Sequence, residues 1–275
     1  MNLPEQKKKN IWVAVIVIVG LIALSNQALT MKDPENTYPK RIKRALRLFF
    51  NPAENKLEEH LIGKGIDCEN PADLYREAAA ATVVLKTEEG LGAGVFIGPE
   101  LIVTAKHVVD SPKVTANLPN VLDDNLARPG RSIPVEQVIP VDGLDLAFIK
   151  TRGRSSNWLL LETGIPKDSE LMVVGHPNGK YYSLQKGRIK KKGRIEKTPF
   201  IFFKDNEVFF GNSGGTIVSC EGRLVGVVSM MSDYDNNLLK QGIGINARTI
   251  AQYAGKKGLP LPSGSKSMDT EPTIR

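Results

Sequence analysis

The chain has 275 residues, 41% of them hydrophobic and 6% aromatic, which suffices for one large core or two small ones. Of its net charge of +7, residues 1–50 carry +6, nine Lys/Arg against Glu5, Asp33 and Glu35. The basic character is therefore an N-terminal property, and with no nucleic-acid-binding motif beside it no nucleic-acid partner is expected. The two cysteines, Cys68 and Cys220, lack metal-motif spacing and no glycine-rich phosphate loop appears, so neither a metal nor a cofactor is expected.

Residues 1–31 form a first segment. Lys7-Lys8-Lys9 precede Ile11 to Leu24, an uncharged and almost wholly apolar run. Its length is short for a spanning helix, which wants about 20 apolar residues, and suits a signal-peptide core, with Ala23-Leu24-Ser25 as a small-x-small cleavage site. The uncharged continuation through Met31 lets residues 11–31 cross a bilayer as a retained anchor, and that is the reading preferred here. Residues 32–79 form a basic and helical linker region. Ile42, Ala45, Leu46 and Phe49 share one helical face while Lys40, Arg41, Lys43, Arg44 and Arg47 cover the rest, so a helix over 40–50 fits an anionic lipid surface. A second helix is expected from Asn51 and Pro52 to about Gly63, and a third from Asn70 and Pro71 into the first strand.

From residue 80 to 255 the pattern changes. Short runs rich in Val, Ile, Phe and Thr, such as Thr82–Leu85, Val95–Ile97, Leu146–Ile149, Leu171–Val174, Pro199–Phe203 and Leu224–Val228, alternate with Gly, Pro, Asn and Asp. They predict antiparallel β-structure in two barrels, with a junction near residues 160–170. Residues 256–275 read as a flexible tail. Two free thiols are assumed at Cys68 and Cys220, since sequence does not give their separation.

Three motifs in this region carry chemistry. His107 lies in Thr104-Ala105-Lys106-His107-Val108-Val109, Asp145 opens an apolar strand, and Ser213 lies in Gly211-Asn212-Ser213-Gly214-Gly215. A serine hydroxyl is a weak nucleophile near neutral pH and needs an imidazole to take its proton, the role given to His107. A carboxylate on the far ring nitrogen fixes the tautomer and stabilises the cation. Asp145 fits that place better than Asp142, which precedes Gly143 in a turn. The glycines let backbone N–H groups converge on the oxyanion of a tetrahedral intermediate, and those of Gly211 and Ser213 are assigned to it. Of the other histidines, His176 reads as a surface turn residue in a Pro/Gly segment and His60 falls in a charged helical stretch. Lys186 to Arg194 form a basic cluster, read chiefly as a solvated hairpin, with docking on acidic headgroups or partners as the other possibility.

With these motifs the sequence resembles the chymotrypsin-like (trypsin-like) serine peptidases, and within them the Deg/HtrA-type protease domain. Gly92-Ala93-Gly94-Val95-Phe96-Ile97 leading into Leu101–Val109 is similar to that branch's histidine motif, and Asp145-Leu146-Ala147 to its aspartate strand. Val173–Gly179, Asp205 and Gly242-Ile243-Gly244-Ile245 carry the rest, although His176 stands where that branch usually has asparagine, and no PDZ domain follows residue 255. The resemblance implies an all-β fold of two antiparallel six-stranded barrels, here with an N-terminal hydrophobic helix and a short helical linker. It implies a serine endopeptidase acting on proteins through an acyl-enzyme, with its domain outside the cytoplasm. A pseudoprotease or peptide-binding module on the same fold, or a form inactive until a partner orders the oxyanion loop, is the alternative. By the same resemblance, Ser229, Met231, Gly242 and Gly244 wall the specificity pocket. Glu207, six residues before Ser213, read alone favours basic side chains, whereas the apolar surroundings favour small to medium aliphatic ones.

Overall fold

The computed structural model describes residue 66 and residues 68–121, 126–195, 198–204, 211–232 and 241–262, all within one compact unit, residues 56–275. The expected hydrophobic segment 11–31, the basic helix 40–50, the helix from Asn51, and His60, Asp205 and Glu207 lie outside these residues. Among the described residues no helix is long and apolar enough to cross a membrane.

The first half is a seven-stranded antiparallel sheet built from β1 (Thr82–Lys86), β2 (Leu91–Gly98), β3 (Leu101–Thr104), β4 (Thr115–Asn120), β5 (Arg128–Ile133), β6 (Val135–Val141) and β7 (Leu146–Thr151). Its spatial order is β5-β4-β1-β2-β3-β7-β6. Seven strands replace the expected six because of Pro134. Proline supplies no N–H to a ladder, and here it divides one long strand into β5, paired with β4, and β6, paired with β7. The two edge strands of the sheet are thus consecutive in sequence and joined through this residue. Counted as one bent strand, β5–β6 restores the number six.

The second half is a closed six-stranded barrel, β10-β13-β12-β11-β8-β9. Its strands are β8 (Glu170–Gly175), β9 (Ser183–Ile195), β10 (Thr198–Lys204), β11 (Thr216–Ser219), β12 (Leu224–Ser232) and β13 (Gln241–Asn246). Both halves use the two-residue period of a strand to feed two cores at once. Val83, Leu85, Phe96, Ile102 and Ile149 fill the first, and Val173, Ile189, Ile201, Phe203 and Ile217 fill the second. The alternate residues, among them Val84, Val95, Phe148, Val174, Val218 and Ile245, join a third cluster. This double burial explains why the strands read as continuous apolar runs, with β3 and β11 buried at all four positions.

The linker 152–169 stitches the halves together. Leu159 N–H donates to Phe96 O at 2.9 Å, and Leu224 N–H donates to Leu160 O at 2.8 Å. The buried hydroxyls of Thr82 and Thr216, 2.6 Å apart, join β1 to β11 directly.

Two helices flank this frame. The first, α1 (Pro71–Ala81), starts at Asn70 and Pro71 as the sequence suggests and runs straight into β1. Its Tyr75 is fully buried and spans both halves. The hydroxyl donates to Tyr182 O at 3.0 Å and accepts from Ala127 N–H at 2.9 Å, while burial pushes the phenol up to about 12. The second, α2 (Ala247–Lys256), is capped by Asn246, whose side-chain oxygen accepts from Thr249 N–H at 2.8 Å. The stretch after α2 does not begin as a free tail: Leu259 is buried, and Pro262 lies against Gly98.

The two cysteines are not free thiols. Cys68, just before α1, and Cys220, in the turn after β11, form a disulfide with Cα atoms 5.2 Å apart. The fold brings together two positions 152 residues apart, a proximity that spacing alone does not reveal.

Candidate active site

His107 lies on a single 3₁₀ turn, Lys106–Val108, directly after β3, and its side chain is about half exposed. β3 and β7 are adjacent, with Thr104 opposite Ala147, so residues just beyond one strand's end and just before the other's start face each other. That register delivers Asp145 to His107. His107 Nδ1 lies 2.9 and 3.0 Å from the two carboxylate oxygens of Asp145, and the backbone N–H of His107 donates to Oδ1 at 3.0 Å. A carboxylate only accepts, so Nδ1 carries the proton and Nε2 is the basic nitrogen. Asp142 is exposed in the turn and is not the partner.

A further donor reaches this carboxylate from the second barrel. Ser229 Oγ donates to Asp145 Oδ2 at 2.6 Å. Ser229 was expected on a pocket wall, but its buried hydroxyl faces Asp145 across the junction. Its position two residues before Met231 on β12 gave no signal of this. The hydrogen bond with Asp145 raises the pKa of His107, against the smaller lowering effect of partial burial, and the charges of Asp145 and Asp110 add to the rise. For Asp145, burial alone would raise the carboxyl, but the hydrogen bonds from His107 and Ser229 outweigh it and the net shift is downward.

Ser213 occupies the loop between β10 and β11 and is held against the first sheet. Its carbonyl accepts from Ala93 N–H at 2.8 Å, while Ala93 O accepts from Thr104 Oγ1 at 2.6 Å. Gly92 shows how near the histidine turn lies. A Cβ there would sit 2.5 Å from Val108 Cγ1 and 3.2 Å from Ser213 O. The turn closes with Gly215 N–H donating to Asn212 O at 2.7 Å and Gly214 N–H to Val228 O at 2.7 Å. Gly211 and Gly214 have φ of +94° and +75°, a region L side chains rarely adopt. At Gly214 a side chain would also collide with Ala93 O and Thr104 Oγ1.

The expected specificity residues fare differently. Gly242 and Gly244 are opposite Phe203 and Ile201, and a Cβ on either would press into the barrel interior, at Gly242 against the Phe203 ring and at Gly244 2.6 Å from Ile217 Cδ1. Packing of the second core accounts for the absence of side chains at these two positions. Met231 lies on β12 opposite Gly242. The basic cluster lies on β9, where Lys186 and Arg188 approach Glu170 at 3.6 and 4.0 Å.

His176 is the largest departure from expectation. It is not a surface residue but is completely buried. Its Nδ1 accepts from Tyr182 N–H at 3.0 Å, so Nε2 carries the proton and donates to Val83 O at 3.2 Å. Loss of hydration holds its pKa down at about 4, although the hydrogen bonds to backbone oppose this.

Residues 92–227 match the family model of the trypsin-like peptidase domain. The chain carries a trypsin-like peptidase domain. Its class is that of the serine-type endopeptidases. No curated protein matches the chain significantly. Among solved structures it is similar to the active form of the Rv3671c protease from M. tuberculosis, at 21% identity and a TM-score of 0.57, over 72% of this chain and 88% of that one. The inactive form of the Rv3671c protease gives 19% and 0.57, over 68% and 93%. The serine endoprotease from Yersinia pestis gives 24% and 0.53, over 68% and 65%.

Proposed function

We propose that this chain cleaves peptide bonds in protein substrates with Ser213 as nucleophile, His107 as general base and Asp145 as the group that orients it. The observation that carries the reading is the double contact of the half-exposed His107, through Nδ1, with the Asp145 carboxylate. It leaves Nε2 to take the Ser213 proton as Oγ adds to the substrate carbonyl carbon. The N–H groups of Gly211 and Ser213 stabilise the oxyanion so formed. The C–N bond then breaks, His107 returns its proton to the leaving amine, and the acyl group stays on Oγ. Water, deprotonated by the same Nε2, adds to the acyl carbon, and the C–Oγ bond breaks as His107 returns that proton to Ser213 Oγ, releasing the carboxylic acid, which ionises to the carboxylate. Ser229 keeps Asp145 ionised and aimed. Small to medium aliphatic side chains before the scissile bond are the proposed preference. Residues 11–31 are proposed to hold the domain at a membrane, outside the cytoplasm.

The test is covalent labelling with a fluorescent fluorophosphonate. The wild-type chain acquires the label and Ser213→Ala does not. Equal labelling of the two, or none in a folded wild type, removes Ser213 from this role.

A further inference from the structure

The turn that carries Gly211 and Ser213 is gripped from beneath by the segment linking β8 to β9. On one side His176 backbone N–H donates to Gly211 O at 3.2 Å, and the two chains run so close that a Cβ on Gly211 would collide with His176 O. His176 is itself fixed at both ring nitrogens, to Tyr182 N–H in its own segment and to Val83 O of β1 in the other half of the molecule. Tyr75 of α1 holds Tyr182 in turn, through its carbonyl. On the other side the side chain of Asn212, fully buried, donates from Nδ2 to Gln185 Oε1 of β9 at 3.0 Å. Asn212 can enter so far only because residue 175 is glycine: a Cβ there would come within 2.5 Å of Asn212 Oδ1.

We propose that His176 and Gln185 are positioning residues that hold Gly211 and Asn212, and through them the N–H groups of Gly211 and Ser213, in the shape that receives the oxyanion. Neither residue touches the reacting atoms. A donor aimed at an oxyanion loses its effect when it is displaced by a fraction of an ångström, and complete loss of one such donor costs about 10²–10³ in rate. The inference rests on the reading of Ser213 as nucleophile, so its test needs one readout that does not.

Two readouts separate them: the rate of fluorophosphonate labelling and the rate of amide hydrogen exchange across residues 211–215. His176→Phe keeps a ring of similar size but loses both hydrogen bonds, and His176→Asn keeps an acceptor for Tyr182 N–H but loses the ring. Labelling falls by about 10²-fold in His176→Phe and by less than about fivefold in His176→Asn, whereas a residue needed only to fill space gives the reverse order. Gln185→Met, at a half-buried strand position, slows labelling by about tenfold, and Gln185→Glu, which keeps the acceptor, restores it. The acid limb of the labelling profile stays in place throughout, because the His107–Asp145 pair is untouched. Amide exchange at 211–215 rises in His176→Phe and Gln185→Met. Failure of His176→Phe to fold leaves the decision to Gln185→Met. Wild-type labelling and exchange in folded Gln185→Met overturn the inference. Unlabelled wild type with faster exchange in the variants counts against Ser213 alone and supports the grip.

Discussion

The proton affinities of His107 and His176 shift in opposite directions because one faces a carboxylate and the other, among the described residues, faces backbone and aromatic rings. For His107 the pKa lies above 6.5, and the basic form needed for catalysis is the neutral one, so labelling of Ser213 should rise with pH to a plateau whose midpoint exceeds 6.5. Asp145→Asn removes the main cause of the rise. The midpoint should move to lower pH and the rate fall by roughly 10⁴, as for tautomer loss in comparable triads; an unchanged midpoint would show that Asp145 does not set the basicity of His107. The stability linkage also differs in sign. The His107–Asp145 pair contributes below pH 6.5, loses its contribution as pH rises through the folded value of His107, and loses it again in acid as pH falls through the lowered value of Asp145. His176, depressed to about 4, contributes above pH 6.5 and loses its contribution as pH falls through 4. A gap of that size corresponds to about 3 kcal/mol, so denaturant midpoints should drop between pH 6.5 and 4 in wild type and much less in His176→Asn. Parallel losses in both proteins would assign the acid sensitivity elsewhere. The pairing of His107 with Asp145 was legible because each sits in a local motif. His176 was misread because its burial depends on Val83, 93 residues away, and a Pro/Gly turn carries no mark of what will be packed over it.

Among the elements, α1 is tied to the rest by more than apolar contact. Tyr75 reaches both halves, and the Cys68–Cys220 bond fastens the chain just before the helix to the turn after β11. A bridge across 152 residues removes much chain entropy from the unfolded state, and loss of a native disulfide in small domains typically costs about 2–5 kcal/mol. Cys68→Ser should therefore lower the unfolding free energy by that amount, read as a lower denaturant midpoint, and a reducing agent should lower wild type to the same level while leaving the variant unchanged. An unaltered midpoint would mean that α1 is held by its apolar face and Tyr75 alone. The strands were readable from composition because double burial makes each a short apolar run. The division of β5 from β6 at Pro134 was not read, and the inward direction of Gly242 and Gly244 could not be, since the side on which an absent side chain would lie depends on the partner strand.

For the whole molecule, the basic N-terminal segment and the peptidase domain are proposed to act as a tether and its cargo. Burial of an apolar run is insensitive to ionic screening, whereas attachment through lysines alone is not. Membranes washed at high salt should keep the full-length chain, and protease added to intact cells or spheroplasts should reach residues 80–255. Release of a soluble chain beginning near residue 26 would show a removed signal, and protection of the domain would reverse its orientation.

The sequence by itself determined the β-rich two-part fold, the helix start at Asn70 and Pro71, and the order His107, Asp145, Ser213, because each is written in contiguous residues whose geometry is local. Only the tertiary structure decided that Ser229 serves Asp145, that Cys68 meets Cys220, that Pro134 joins the two edge strands of the first sheet and that His176 bonds Gly211. Each of these depends on the register and packing of strands far apart in the chain, and a hydrogen bond that forms only when two barrels meet leaves no pattern in either one.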